Sequence, residues 1–228
     1  MANAPVPLQT EVASRSAAFT APVPLRVAVG TYNINSGKYF RTPNYEGLTV
    51  ADWLDCYKEQ KTPALLDLDF APSDAKKEEK RIDVYALGFE EIVDLDAKNI
   101  VLASSENARA WAEDLSKILD RGGEDRFTLL AYQQLVGVCL FLFVRPEHAA
   151  RIAEVSVDTV KTGLGGAAGN KGSVAIRFNY LSTSLAFVCS HFAAHQNNIS
   201  DRNADFEEAA KKLRSVSASS FYTTGSIV

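Results

Sequence analysis

The sequence is poor in the residues that build metal clusters and disulfide frameworks. Its 228 residues include three cysteines and three histidines, and no two cysteines stand in a C-x-x-C pair. This count argues against a zinc-ribbon or disulfide-stapled fold. Cys139 and Cys189 lie within apolar runs, so we expect both to be buried thiols in a protein of a reducing compartment.

A basic excess and membrane-length apolar runs are also missing. Lys and Arg number 24 against 28 Asp and Glu, a net charge of −4, so no nucleic-acid partner is expected. No run approaches the roughly 18 apolar residues of a transmembrane span, so no transmembrane segment is expected. Because 46% of the residues are apolar and 23% are charged, the composition is that of a soluble globular protein.

Short apolar runs rich in β-branched and aromatic residues predict strands, and apolar residues at helical spacing predict helices. Several strand runs are apolar throughout, which indicates burial on both faces and favours an α/β sandwich with sheets inside and helices outside. In the last helix we expect an inner face of Phe206, Ala210, Leu213 and Val216, with Ser200 as the cap. The predicted strands are Leu25–Asn33, Asp83–Phe89, Phe127–Gln134, Val136–Val144, Val155–Val160, Lys171–Tyr180 and Ser184–His191, and the helices are Val50–Tyr57, Ser105–Asp120 and Ser200–Val216.

The predicted elements divide the chain into three parts. Residues 1–24 are rich in Ala and Pro and are expected to form a disordered arm. Residues 25–214 form the folded part, within which the charged run in 58–81 is expected to be a loop or a solvated helix face. Residues 215–228 form an uncharged tail without apolar periodicity.

Polar residues follow three of the predicted strands at their ends. Asn33, Glu91 and His191 occupy such positions, where sandwich and α/β folds place their sites. A converging amide, carboxylate and imidazole would suit a hard cation such as Mg²⁺ and an anionic substrate. Taken singly, a carboxylate after a strand is more often a solvated loop charge, and a histidine at a strand end is more often a structural residue.

A glycine-rich segment over residues 159–172 carries two lysines, Lys161 and Lys171. Backbone N–H groups and ammonium groups together form a phosphate-binding surface. The segment is not a P-loop, because Gly172 rather than Ser or Thr follows Lys171. A simple surface loop remains the alternative explanation.

These segments resemble a known family when they are taken in order. TYNIN, GFEEI, VDTVKTGLGGAAGNKGSVAIRF and CSHFAAH, followed by Arg202-Asn203-x-Asp205-Phe206, are similar to the inositol polyphosphate 5-phosphatases, most of all the synaptojanin-like branch. The resemblance covers residues 25–214. It implies a deoxyribonuclease-I-like four-layer α/β/β/α sandwich and a Mg²⁺-dependent phosphoesterase.

The resemblance also implies roles for individual residues. Glu91 matches the Mg²⁺-binding carboxylate, and Asn33 matches an amide that helps hold the metal and phosphate. His191 matches the histidine at the scissile phosphate. Lys171 matches a lysine of the loop that receives the inositol phosphates, and Arg202 and Asn203 match a pair close to the substrate's phosphates. Glu90 stands where the family usually has Gln.

The implied activity is hydrolysis of the 5-phosphate of phosphoinositides such as phosphatidylinositol 4,5-bisphosphate, by a cytoplasmic protein peripheral at membranes. The implied partners are lipid headgroups, and the oligomeric state stays open.

The family's later Gly-Asp-x-Asn-x-Arg and Asp-His motifs are absent from these 228 residues. We therefore expect the C-terminal half of the sandwich and the general base to be missing, and activity to be impaired. One alternative is a catalytically inactive isoform or gene fragment that at most binds phosphoinositides, and another is a nuclease of the same superfamily.

Overall fold

The computed structural model describes residues 20–36, 49–59, 81–93, 105–120, 126–166 and 168–215, and the isolated positions 10, 15 and 18. Short helical turns at Pro146–Ala149 and Gly163–Gly166 are labelled α3 and α4. The longer elements are β1 (Val27–Asn33), α1 (Val50–Glu59), β2 (Val84–Glu90), α2 (Ser105–Leu119), β3 (Thr128–Leu135), β4 (Val138–Val144), β5 (Ile152–Thr162), β6 (Ala168–Tyr180), β7 (Thr183–His191) and α5 (Ile199–Ser215).

The strands form two sheets that pack face to face. The first has four strands in the order β1-β2-β4-β3, with β1 and β2 parallel and the other pairs antiparallel. The second has three antiparallel strands in the order β5-β6-β7, and the predicted β6–β7 hairpin is confirmed. Helices α1 and α2 contribute to the core on the outer side of the first sheet, and α5 packs on β5 and β6. The expected four-layer α/β/β/α arrangement is therefore confirmed.

Strands β2 and β4 are buried on both faces, as their apolar runs predict. Alternate residues of β2 point to opposite sides, so Phe89 packs among Trp53, Trp111 and Phe141 on the helix side of the sheet. These ring centroids lie 5.2 to 6.0 Å from that of Phe89, in tilted and edge-to-face geometries that favour aromatic pairs. Ala86 belongs to the second core, between the sheets.

The prediction that β1 is a buried strand is only partly correct. The strand exists, but it begins at Val27, and only Ala28 of its residues is buried. Val29 is 63% exposed. The physical reason is the position of β1 at the edge of the first sheet, where the described part of the chain leaves one of its faces largely uncovered.

The predicted inner face of α5 is wrong at Phe206, which is 62% exposed. The fully buried residue of this helix is Ala209, and Arg202, Asp205 and Leu213 are half-buried. These four positions follow one another at spacings of three and four, so they form one helix face. The spacing of apolar residues does not predict this face, because its first two residues, Arg202 and Asp205, are polar.

Two further predictions concern the start of α5 and the ends of the chain. The helix begins at Ile199, so Ser200 lies inside its first turn, and the prediction that Ser200 is the cap is wrong. Ser215, the first residue of the predicted tail, is the last residue of α5. Residues 216–228 lie outside the described residues, as do residues 60–80 and most of the predicted arm. None of the described helices is long and apolar enough to span a bilayer.

The two sheets approach closely where β2 faces β7. A Cβ atom added at Gly88 would lie 2.7 Å from Sγ of Cys189 and 3.0 Å from its Cβ. Because real Cβ atoms do not come so close to other atoms, only glycine fits this position without a shift of the neighbouring strand. Both predicted buried thiols, Cys139 and Cys189, are confirmed as free and buried.

We predict that Gly88→Ala destabilises the protein by about 1–3 kcal/mol, because the added methyl group overpacks the space between the sheets. Urea denaturation measures the change. In a Cys189→Ala background the penalty should shrink, since the Sγ atom that the methyl group meets is gone. An equal penalty in both backgrounds would show that the sheets do not meet at this point.

Candidate functional site

The site is built where β1 and β2 end together. The parallel register pairs Asn33 with Glu90, and the backbone N–H of Ile34 donates to the carbonyl of Glu90 at 3.0 Å. Glu91 follows directly, and Asn33 Nδ2 donates to Glu91 Oε1 at 3.1 Å. The Asn33 side chain is itself held, because its Oδ1 accepts from the backbone N–H of Asn35 at 3.1 Å. Two predicted site residues are thus in direct contact.

Glu91 has an unusual backbone conformation for a residue with a side chain. Its φ is +56°, in the left-handed region, which is sterically unfavourable for residues other than glycine. The next residue, Ile92, is buried and donates its backbone N–H to the carbonyl of Gly137 in the β3–β4 turn at 3.1 Å. The neighbouring turn therefore holds the chain in a conformation that directs the carboxylate, a kind of strain that concentrates at functional sites.

The second sheet contributes Lys171 and His191 to the same place. Gly172 of β6 pairs with His191 of β7, and Lys171 Nζ lies 2.6 Å from His191 Nε2. His191 Nε2 lies 3.7 Å from Glu91 Oε1, so the two sheets meet across this pair. When Lys171 is protonated, its ammonium group can only donate, so Nε2 is then the acceptor and the imidazole is neutral with its proton on Nδ1.

Burial and local charge explain the protonation of these two side chains. Burial lowers the pKa of His191, the neighbouring Lys171 charge lowers it further, and the Glu91 charge opposes both. Burial also lowers the pKa of Lys171, against the raising effects of the Glu91 and Asp205 charges. The lowered His191 pKa agrees with the neutral imidazole that the contact with Lys171 requires.

Glu90 lies between the sheets rather than in this cluster. Its Oε1 accepts from Thr31 Oγ1 at 2.7 Å and from Cys189 Sγ at 3.6 Å. Burial, with the Glu90 charge as the next cause, raises the pKa of Cys189, which keeps the thiol protonated as a donor. A Gln at position 90 would also carry an acceptor oxygen. Glu90 therefore keeps the hydrogen-bond acceptor that the family's usual Gln supplies. A cavity of about 350 Å³ opens beside Glu90, between β1 and β7.

The donor set fits a hard divalent cation. Glu91 Oε1 is engaged by Asn33, whereas its Oε2 makes no hydrogen bond with any described residue. Within the described ranges no group of three His, Cys, Asp or Glu side chains comes together in a way that would hold a metal alone. Mg²⁺ is nevertheless commonly bound through one carboxylate, with waters and substrate phosphate completing its six ligands. Glu91, with Asn33 beside it, matches that kind of site.

The glycine-rich segment forms a connection between two paired strands. Residues Gly163–Gly166 make the single turn α4, and β6 begins at Ala168. Gly172 has φ +150°, and a Cβ there would lie 2.1 Å from the carbonyl oxygen of Val160, so only glycine allows the strands to pair here. Lys161, the residue opposite Gly172, is exposed at the end of β5. The segment therefore places Lys171 in the cluster and leaves Lys161 at the surface.

Arg202 and Asn203 lie in the first turns of α5. The Arg202 guanidinium donates to three backbone carbonyls of the loop 192–198, those of Ala193, His195 and Gln196. Asn203 is exposed. Neither side chain is recorded in contact with Lys171, His191, Glu91 or Asn33, so four of the seven predicted residues form the contact cluster.

Sequence reasoning assigned no role to Asp205. Its Oδ2 accepts from the backbone N–H of Ala193 at 2.9 Å, and its charge acts on Lys171. The sequence feature that could have identified Asp205 is its position three residues after Arg202, which places both side chains on the same helix face.

Comparison with known proteins agrees with this geometry. Residues 30–228 match the model of the endonuclease/exonuclease/phosphatase family 2. The chain is 49% identical to human synaptojanin-1 over 195 residues, which are 86% of this chain and 12% of that protein. It is 40% identical to synaptojanin of Caenorhabditis elegans over 206 residues, 90% of this chain and 17% of that protein. The chain thus spans less than a fifth of the length of these curated relatives.

A solved structure extends the comparison to the fold. The inositol polyphosphate 5-phosphatase domain of SpSynaptojanin, in complex with inositol (1,4)-bisphosphate and a calcium ion, superposes with a TM-score of 0.65 at 27% identity. The match covers 89% of this chain and 50% of that one. That neighbour holds both an inositol phosphate and a divalent metal ion.

We predict that Glu91→Gly is more stable than Glu91→Ala by about 1 kcal/mol, because only glycine adopts the left-handed conformation at this position without steric cost. Both variants lack the carboxylate, so the difference between their stabilities reports the cost of the backbone conformation at position 91. Thermal unfolding of the two variants measures it. If the alanine variant is equally or more stable, the backbone at position 91 is not strained.

Proposed function

Because the chain belongs to the endonuclease/exonuclease/phosphatase family 2, within its synaptojanin-like inositol polyphosphate 5-phosphatases, we propose that it acts in phosphoinositide dephosphorylation. The proposed reaction is the Mg²⁺-dependent hydrolysis of the 5-phosphate of lipids such as phosphatidylinositol 4,5-bisphosphate. The observation that carries the proposal is the continuous chain of contacts from Lys171 through His191 and Glu91 to Asn33, drawn from both sheets.

The charges of this cluster are suited to a phosphate only with a cation present. The Glu91 carboxylate by itself would repel an anionic substrate, and the single ammonium of Lys171 balances only one negative charge. Mg²⁺, when bound at Glu91 and Asn33, would neutralise charge on the phosphate and orient it. Asn33 donates to Glu91 Oε1 and so fixes the direction in which Oε2 points.

Lys171 and His191 are proposed to hold the phosphate from the side of the second sheet. The ammonium has three N–H donors, and one of them is used on His191 Nε2. The others remain for phosphate oxygens, where a preorganised donor stabilises charge as it develops. Burial keeps this pair partly shielded from water, which strengthens such contacts.

Three other predicted phosphate-binding residues remain proposals. Lys161 is exposed at the rim of the glycine-rich segment, and Asn203 is exposed on α5, so both are accessible to a headgroup. Arg202 donates to carbonyl groups of the loop 192–198. Its proposed effect on phosphate binding is therefore indirect, through the position of that loop. A lipid substrate implies peripheral contact with a membrane surface, on its cytoplasmic side.

Hydrolysis also needs a general base that activates the attacking water. The alternative function is binding of the phosphoinositide headgroup without turnover, which the same four side chains would support.

Phosphate release from vesicles containing phosphatidylinositol 4,5-bisphosphate tests the proposal. We expect Mg²⁺-dependent release of phosphate from the wild type and none from Glu91→Gln, which is isosteric but uncharged. Phosphatidylinositol 4-phosphate, which lacks the 5-phosphate, is the substrate control. Co-sedimentation of the protein with the vesicles but no release would favour the binding function. If there were neither release nor co-sedimentation, or if Glu91→Gln were as active as the wild type, the proposal would fail.

A further inference from the structure

The loop 192–198 connects the site to α5 and is held by that helix at several points. It begins directly after His191 and ends where α5 begins at Ile199. His195 within it has φ +73°, a left-handed conformation that requires support from its surroundings. The loop therefore has a defined path that the neighbouring helix has to maintain.

Arg202 binds the carbonyl side of this loop. Its guanidinium donates to Ala193 O at 3.3 Å, to Gln196 O at 3.0 Å and to His195 O. An arginine that satisfies three carbonyl groups fixes the backbone between them, because its planar donors cannot adapt separately. This set of contacts is structural in kind and does not depend on any ligand.

Asp205 binds the other side of the same peptide segment. Its Oδ2 accepts from the N–H of Ala193 at 2.9 Å, so both polar groups of Ala193 are held by one helix face. The same carboxylate acts on Lys171 through its charge. Asp205 thus holds the loop that directly follows His191, the residue that Lys171 contacts.

We propose that Asp205, assisted by Arg202, is the positioning residue that fixes the loop directly after His191, and through it the placement of His191 and of the Lys171 ammonium that contacts His191. The inference rests on the proposed function, because it concerns the same site. It also explains why the inward face of α5 begins with polar residues. Neither side chain needs to touch the phosphate for this role.

Two substitutions separate the hydrogen bond of Asp205 from its charge. Asp205→Asn keeps an oxygen that accepts from Ala193 N–H but removes the charge, whereas Asp205→Ala removes both. Glu207→Ala, an exposed position on the same helix, is the matched control. The probe is inositol 1,4-bisphosphate with Mg²⁺, measured by calorimetry. Amide hydrogen exchange at Ala193 and the ¹⁵N shifts of the His191 imidazole, both by NMR without ligand, report the positioning itself.

For Asp205→Ala we expect exchange at Ala193 and the Kd of the probe each to rise about tenfold, as for loss of one hydrogen bond. The His191 Nε2 shift should also move away from that of the wild type. For Asp205→Asn we expect exchange close to the wild type and a clearly smaller loss of affinity than for Asp205→Ala, because the acceptor for the Ala193 N–H is kept. Glu207→Ala should match the wild type throughout.

Asp205→Ala with unchanged exchange and imidazole shifts would overturn the inference, as would Asp205→Asn behaving like Asp205→Ala. If Asp205→Ala does not fold, Arg202→Met replaces it, and unchanged Ala193 exchange in that variant likewise counts against the inference. If the wild type fails to bind the probe while the ligand-free signals change as expected, the proposed function fails and the positioning role stands.

Discussion

The close contact between the two sheets at Gly88 and Cys189 is the constraint on which the site depends. β2 approaches β7 so closely that a side chain on Gly88 would collide with the cysteine. Two residues further along, the hydrogen bond from Cys189 to Glu90 joins the two sheets, and Thr31 of β1 holds the same carboxylate. Glu91 directly follows Glu90, the last residue of β2. The distance between the two sheets therefore determines whether the Glu91 carboxylate reaches His191.

The site divides its chemistry between the two sheets. The first sheet supplies the carboxylate and amide that suit a hard cation, and the second supplies the lysine and histidine that suit phosphate oxygens. Glu91 is held in an unfavourable backbone conformation, and Lys171 donates to a neutral imidazole at 2.6 Å. Both arrangements are costly for an isolated chain, so the surrounding packing has to maintain them.

Sequence patterns predicted the central strands well, since the apolar runs of β2 and β4 leave few alternatives to double burial. Motif resemblance by itself assigns Asn33, Glu91, Lys171 and His191 to one site. The pattern failed where exposure depends on neighbours in space, as at the open face of β1. It also failed on α5, where Arg202 and Asp205 face inward because loop carbonyls and an amide need partners. The spacing of apolar residues cannot predict contacts between polar side chains and the backbone of a neighbouring loop.

The most direct test of the account is a double-mutant cycle across the sheet interface. Binding of inositol 1,4-bisphosphate with Mg²⁺ is measured for the wild type, Glu91→Gln, Lys171→Met and the double variant. If both sheets act on one bound phosphate, the two losses should be coupled by at least about 0.5 kcal/mol, as expected for groups that share a partner. Strictly additive losses would mean that the two residues do not serve the same site and would contradict the account.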